Sequence, residues 1–239
     1  MKILGIDTSG YANAIGVIDG DQILAEFTIE ARIDSLKKIV ANIDLALKSA
    51  GLDLDDIQGF GIGLGPGSWT GIRVGVTVGK VLAYSTGKPV SGVSTLEALA
   101  YNARNKSLII CPIISTGAKD TVYAAFYRAR DGAVSRVGDY YVGDIRGLSE
   151  MVKEPVTFVG SEARFYSELV SQAAGSLNIS IEVVEDAPKG SAIALLAAGN
   201  LERGESDNIL SLTPLYLKES TAKAFQSRYS NRAQAKGQG

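Results

Sequence analysis

Gly65-Pro66-Gly67-Ser68-Trp69-Thr70-Gly71-Ile72-Arg73 is the stretch on which the reading of this chain turns. Gln58–Leu64 (QGFGIGL) before it is a short apolar run and reads as a strand, while Ile72–Ser85 after it carries no proline and reads as a helix. The glycines and proline between them make a tight strand-to-helix turn that needs unusual backbone angles. Ser68 or Thr70 can cap the helix by accepting from one of its first free N–H groups. Inside the helix, Gly71, Gly75, Gly79 and Ala83 recur at every fourth position and stack on one face.

Each interior glycine costs a helix roughly 0.5–1 kcal/mol against alanine, so close approach of another backbone is the expected compensation. Val74, Val76, Val78, Val81, Leu82 and the glycine row cover about 220° of the helical wheel, against about 100° for an ordinary surface helix. Arg73, Thr77, Lys80 and Tyr84 are left as a polar strip. A central helix inside one large domain fits this pattern, and so does a helix that binds a partner. The width of the arc favours the partner.

At 239 residues, 46% hydrophobic and 21% charged, the chain has the composition of an ordinary globular protein with one large domain or two smaller ones. No uncharged apolar run reaches the roughly 18 residues of a membrane span. MKILGIDTSG places Asp7 where a signal peptide needs an unbroken apolar core. Cys111 is the single cysteine, which rules out an internal disulfide and fits a reducing compartment, so cytoplasm is the expected location.

The sequence contains no histidine. That removes Ser-His-Asp and Cys-His nucleophilic catalysis and imidazole metal sites; one cysteine cannot build a Cys-rich zinc site either. A carboxylate-bound Mg²⁺ stays open. The whole chain carries −2, but residues 218–239 hold five basic side chains and one acid, so the tail is +4 and the rest −6. Such a tail reads as a solvated end or as a weak contact for nucleic acid.

Lys2–Asp7, Ala12–Asp19 and Gln22–Ile29 read as three consecutive strands with a Asp19-Gly20-Asp21 hairpin turn. Asp34–Ala50 is an amphipathic helix closed by Gly51, Pro89–Val93 a short strand, and Thr95–Arg104 a helix. The pattern then restarts. Ser107–Ser115, Thr121–Arg130 and Ala133–Val142 are strands, followed by helix Asp144–Val152, strand Val156–Val159, helix Arg164–Ala173, strand Ile179–Val184 and helix Ser191–Arg203. Two similar α/β halves follow, each a mixed sheet with flanking helices and a seam near Asn105. The expected divisions are 1–105, 106–190, a segment 191–218 packing back toward the first half, and a basic tail 219–239.

A polar turn opens each half, Asp7-Thr8-Ser9 and Ser115-Thr116-Gly117-Ala118-Lys119, and turn N–H groups can cradle a phosphate. Asp7, Thr8, Ser9, Thr116 and Gly117 are therefore candidate nucleotide or phosphate residues, and Asp7 can also simply shape its turn. Paired halves of this kind resemble the actin, Hsp70 and sugar-kinase superfamily, a resemblance that would have Asp7 hold Mg²⁺ through water. Ile6-Asp7-Thr8-Ser9, the GPGSWTGIR segment and Leu212-Thr213-Pro214-Leu215-Tyr216-Leu217-Lys218 resemble the bacterial TsaB (YeaZ) family. Two segments depart from that family. Arg32-Ile33-Asp34-Ser35 replaces a His-Ser-Glu-like segment, and Thr116-Gly117-Ala118 replaces an Asp-Ala-Arg turn.

The resemblance implies a non-catalytic dimerisation subunit for making threonylcarbamoyladenosine at position 37 of tRNA. It implies binding to a catalytic TsaD paralogue of the Kae1 class, a TsaE-type ATPase reached through the complex, a homodimer when alone, tRNA contacted indirectly, and no membrane. It also implies no cofactor or metal of its own and at most weak ATP or ADP with Mg²⁺ at the complex interface. The interface would comprise Leu36, Ile39, Val40, Ile43 and Leu47 on one helix, and Thr70, Gly71, Val74, Gly75, Val78, Gly79 and Leu82 on the other, with Gly75 and Gly79 at closest approach. The alternative is a small-molecule kinase or ATPase of the same superfamily, for which Gly160-Ser161-Glu162 is a thin adenosine loop. A stand-alone tRNA-binding protein is disfavoured by a pI near 5.4.

Overall fold

Large and small residues alternate along the first strands, and that alternation decides what packs on each face of the sheet. The computed structural model describes residues 1–30, 36–168, 181–184 and 186–217. β1 (Lys2–Asp7), β2 (Ala12–Asp19), β3 (Gln22–Glu30), β4 (Gly59–Gly63) and β5 (Val90–Val93) form one mixed sheet in the order β3-β2-β1-β4-β5. Leu4, Ile6, Ile15, Phe60 and Ile62 face α1 (Ile39–Ser49) and α2 (Trp69–Thr86) in one core. Ile3, Ile18 and Val93 face the other way.

The second half repeats the plan. β6 (Ile109–Ser115), β7 (Thr121–Arg130), β8 (Ala133–Asp144), β9 (Val156–Val159) and β10 (Ile181–Val184) are ordered β10-β9-β6-β7-β8, the same arrangement read from the opposite edge. Ile109, Cys111 and Ile113 pack on α4 (Ile145–Glu150). Ile110 packs with Leu96, Leu99 and Ala100 of α3 (Thr95–Asn102). Two five-stranded mixed sheets with flanking helices are what the restarted strand pattern implies.

The last described helix, α5 (Gly190–Glu202), follows the second sheet in the chain but lies on the first. Its bed is a row of glycines side by side across three strands: Gly5 is paired with Gly16 of β2 and with Gly61 of β4. A Cβ at Gly5 would overlap Gly190 O, one at Gly16 would overlap Ser191 N, and one at Gly61 would lie 2.8 Å from Ile193 O. Asn200 fastens the helix further along by donating to Ser91 Oγ at 2.9 Å. α3 sits between α5 and the second sheet, so the stack runs α1 and α2, first sheet, α5, α3, second sheet, α4.

Boundaries moved where side chains intervene. α2 begins at Trp69, earlier than Ile72, because the Ser68 hydroxyl accepts from Gly71 N at 3.3 Å and caps it there. The helix expected from Asp34 is described only from Leu36, as a 3₁₀ turn leading into α1. Of the helix expected over Arg164–Ala173, a 3₁₀ turn over Ala163–Tyr166 is seen, and the part beyond Glu168 lies outside the described residues. Residues 179–180 and the 219–239 tail also lie outside them.

One expectation is corrected. The glycine row of α2 turns inward. A Cβ at Gly71 would overlap the carbonyl oxygen of Thr8, one at Gly75 the Thr8 hydroxyl, and one at Gly79 the tip of Ile62. What approaches closely is the molecule's own Thr8, just after β1, and Ile62 of β4, so the row at Gly71, Gly75 and Gly79 is covered from within the molecule.

Candidate functional site

β1 ends on Asp7, whose burial with Ser9 and Thr95 builds the floor of the gap between the halves. Oδ1 accepts from Ser9 N at 2.7 Å and Ser9 Oγ at 2.6 Å, and Oδ2 accepts from Thr95 Oγ1 at 2.7 Å. Burial pushes the Asp7 carboxyl above its ordinary value, and these hydrogen bonds pull partly the other way. Thr8 turns to the opposite side, donating to Gly71 O at 2.6 Å and tying the start of α2 to β1. The GPGS loop closes over this turn, with Ser68 N donating to Ser9 O at 2.6 Å and Thr95 N to Gly65 O at 2.8 Å.

A cleft of about 470 Å³ opens above the floor. From the first half it is lined by Ser9, Tyr11, Ser68, Trp69 and Thr95, and from the second by Ser115, Thr116, Gly117, Tyr123 and Glu162, with Leu99, Ile113 and Pro188 among its apolar walls. Of the candidate phosphate residues, Ser9, Thr116 and Gly117 meet here; Asp7 lies beneath and Thr8 faces away. The second turn spends its own donors, Gly117 N on Ser115 Oγ at 3.1 Å and Ala118 N on Thr116 Oγ1 at 3.3 Å. Among the described residues, no cluster of three His, Cys, Asp or Glu side chains could hold a metal ion. None of the described helices is long and apolar enough to cross a membrane.

A second surface lies on the outer side of α1 and α2. Opposite its glycines, α2 presents Thr70, Val74, Thr77, Val78, Val81, Tyr84 and Ser85, with Arg73 and Lys80 along one side. Its two cations are drawn aside by the segment after α5. Arg73 donates to the Tyr216 hydroxyl at 3.1 Å and stacks on Trp69 at 4.2 Å, while Lys80 donates to Leu210 O at 3.3 Å and Leu212 O at 2.9 Å. Tyr84 is 74% exposed, Val81 and Val40 59%, and Leu45 52%.

The residues named in advance for an interface divide. Val40 and Thr70 are exposed and Leu36, Val74, Val78 and Leu82 half-buried, but Ile39, Ile43, Leu47, Gly71, Gly75 and Gly79 are buried in the first half's core. Leu45, Trp69, Val81 and Tyr84 belong to the exposed set and were missing from it. Val81 and Tyr84 stand seven and ten residues beyond Val74 on the same helical face, a spacing readable from sequence once the inward face is known.

Two paired halves around a cleft define an actin-like α/β protein. A hexokinase of the ROK class from Thermus thermophilus shares this fold at a TM-score of 0.52, with 16% identity over 84% of this chain and all of that one. YeaZ from Pseudomonas aeruginosa superposes at a TM-score of 0.77, with 22% identity over 90% of this chain and 99% of that one. TsaB of Bacillus subtilis, named as a tRNA threonylcarbamoyladenosine biosynthesis protein, is 29% identical over 94% of this chain and 97% of its own length. The family model of TsaD, tRNA N6-adenosine threonylcarbamoyltransferase, matches residues 29–224, and the chain belongs to that family, in its TsaB/YeaZ branch.

Proposed function

We propose that this chain is a non-catalytic binding subunit in the cytoplasmic machinery that threonylcarbamoylates adenosine 37 of tRNA. It would dock on and activate a TsaD-type transferase, meet a TsaE-type ATPase through that complex, and pair with itself when alone. The observation that carries this reading is the outer face of α2. Val81 and Tyr84 stand exposed there, with Val40 and Leu45 exposed on α1, while the helix's two cations, Arg73 and Lys80, are engaged by the segment after α5; exposed apolar side chains of this kind suit a partner. The missing histidines support the non-catalytic role, since they leave no imidazole for base or metal chemistry.

The test is association of the purified chain with a TsaD-type transferase from the same organism, measured by calorimetry, for wild type, Val81→Glu and Tyr84→Glu. Exposed substitutions of this kind change monomer stability by no more than about 0.5 kcal/mol. Each is expected to weaken association at least tenfold. Unchanged affinity in both variants would remove this face from the interface, and vigorous ATP hydrolysis by the chain alone would favour a kinase or ATPase.

A further inference from the structure

The gap between the halves has the position of a ligand site and a lining at odds with phosphate. A phosphate site needs cations or free N–H groups converging on the anion. Among the described residues, no lysine or arginine lines the cleft; its one charged side chain is the Glu162 carboxylate. That carboxylate lies beside the Tyr11 hydroxyl and pushes the phenol's pKa up, so it is a negative charge felt at the mouth.

Several of the N–H groups that could replace a cation are already engaged. Ser9 N donates to Asp7, and Gly117 N and Ala118 N donate to the hydroxyls of Ser115 and Thr116. Pro188 leads from the cleft into α5, whose first N–H groups, Gly190 and Ser191, both donate to the Glu26 carboxylate at 2.9 Å. The positive end of that helix is capped by an anion of the chain's own. Nearby cations are already partnered: Arg73 stacks on Trp69 and donates to the Tyr216 hydroxyl, and Lys189 sits 3.9 Å from Asp186.

What the cleft does offer is aromatic surface from Tyr11, Trp69 and Tyr123 and hydroxyls from Ser68, Ser115 and Thr116. A hydroxyl that accepts through a lone pair still has its proton to donate, so these groups can serve a neutral acceptor. The volume is that of a site for a small organic molecule. The geometry points to an uncharged ligand with a planar aromatic part and hydroxyls, nucleoside-like in size, with polyphosphates disfavoured by Glu162, by the lack of a lysine or arginine in the lining, and by the engagement of N–H groups of both polar turns and of the start of α5. This goes beyond the docking role and does not depend on it.

The experiment is titration of the full chain with adenosine, AMP and ATP with magnesium, followed by calorimetry and by saturation-transfer NMR. Affinity should fall with each phosphate, and ATP should bind at least tenfold more weakly than adenosine. Glu162→Gln should narrow that ratio severalfold, Thr116→Lys should tighten ATP at least tenfold, and Ser115→Trp should abolish adenosine binding by filling the cleft. Circular dichroism confirms that each variant is folded. ATP bound as tightly as adenosine, no binding of any probe at millimolar concentration, or adenosine affinity indifferent to a folded Ser115→Trp would each overturn the proposal.

Discussion

Asp7 is a carboxylate held out of water with both oxygens occupied, and its environment writes a pH dependence into stability. Burial raises its folded-state pKa above the unfolded value near about 3.9. Its contribution is therefore fully present below about pH 4 and lost as pH rises through the folded value. Wild type is expected to lose ground to Asp7→Asn as pH climbs from about 4 toward neutrality, read from urea midpoints across that range. A stability difference constant with pH would show that Asp7 titrates as it does in the unfolded chain. Gly71 makes a sterner residue-scale case, because the atom in its way is the carbonyl oxygen of Thr8, which cannot rotate aside. Gly71→Ala would gain up to about 1 kcal/mol in helix propensity, yet overpacking should make the net effect a destabilisation of about 1–3 kcal/mol. A more stable variant in chemical denaturation would mean that the row does not face β1.

Among the elements, α2 shows where sequence stops informing. Its existence, its serine cap and its demand for a close neighbour are legible in GPGSWTGIR and the four-residue glycine spacing. The direction of that demand is not, because the neighbours, Thr8 in the turn after β1 and Ile62 on β4, are brought under the helix only by the pairing of those strands. The candidate phosphate turns share the difficulty: position is readable, but whether a turn's N–H groups are free depends on nearby hydroxyls taking them, as Ser115 and Thr116 do. The segment after α5 is legible as a family-like stretch expected to pack toward the first half, but the bonds that hold it are not. Asp207 N donates to Val90 O and its carboxylate accepts from Gly92 N at 2.7 Å, covering the β5 edge, and Leu215 N reaches Leu64 O at 2.9 Å. Lys80 pins its middle through two carbonyls. Lys80→Met should cost about 1.5–3 kcal/mol, the range for a hydrogen bond to a charged group, and should speed amide exchange and proteolysis between Asp207 and Leu217. Unaltered exchange there would deny Lys80 its holding role.

At the scale of the molecule, the two-half plan was readable because three turn-linked strands occur twice, and the glycine bed was not, because Gly5, Gly16 and Gly61 become neighbours only through strand register. That bed makes the halves interdependent. A fragment of residues 1–105 would expose Ile3, Ile18 and the glycine groove to water, and it is expected to lack cooperative unfolding by circular dichroism. Adding a peptide spanning residues 186–217 should restore it. A cooperatively folded fragment without the peptide would show that α5 is dispensable.

The same arrangement sets a timetable on the ribosome. The first sheet has all its strands once Val93 has emerged, but the helix that covers it ends at Glu202. At about 5–20 residues per second, elongation leaves that apolar face uncovered for roughly 5–20 s. During that interval the nascent chain presents a finished sheet with one bare side, a natural client for trigger-type chaperones, and slowing translation after residue 105 should lower the soluble yield more than slowing it before.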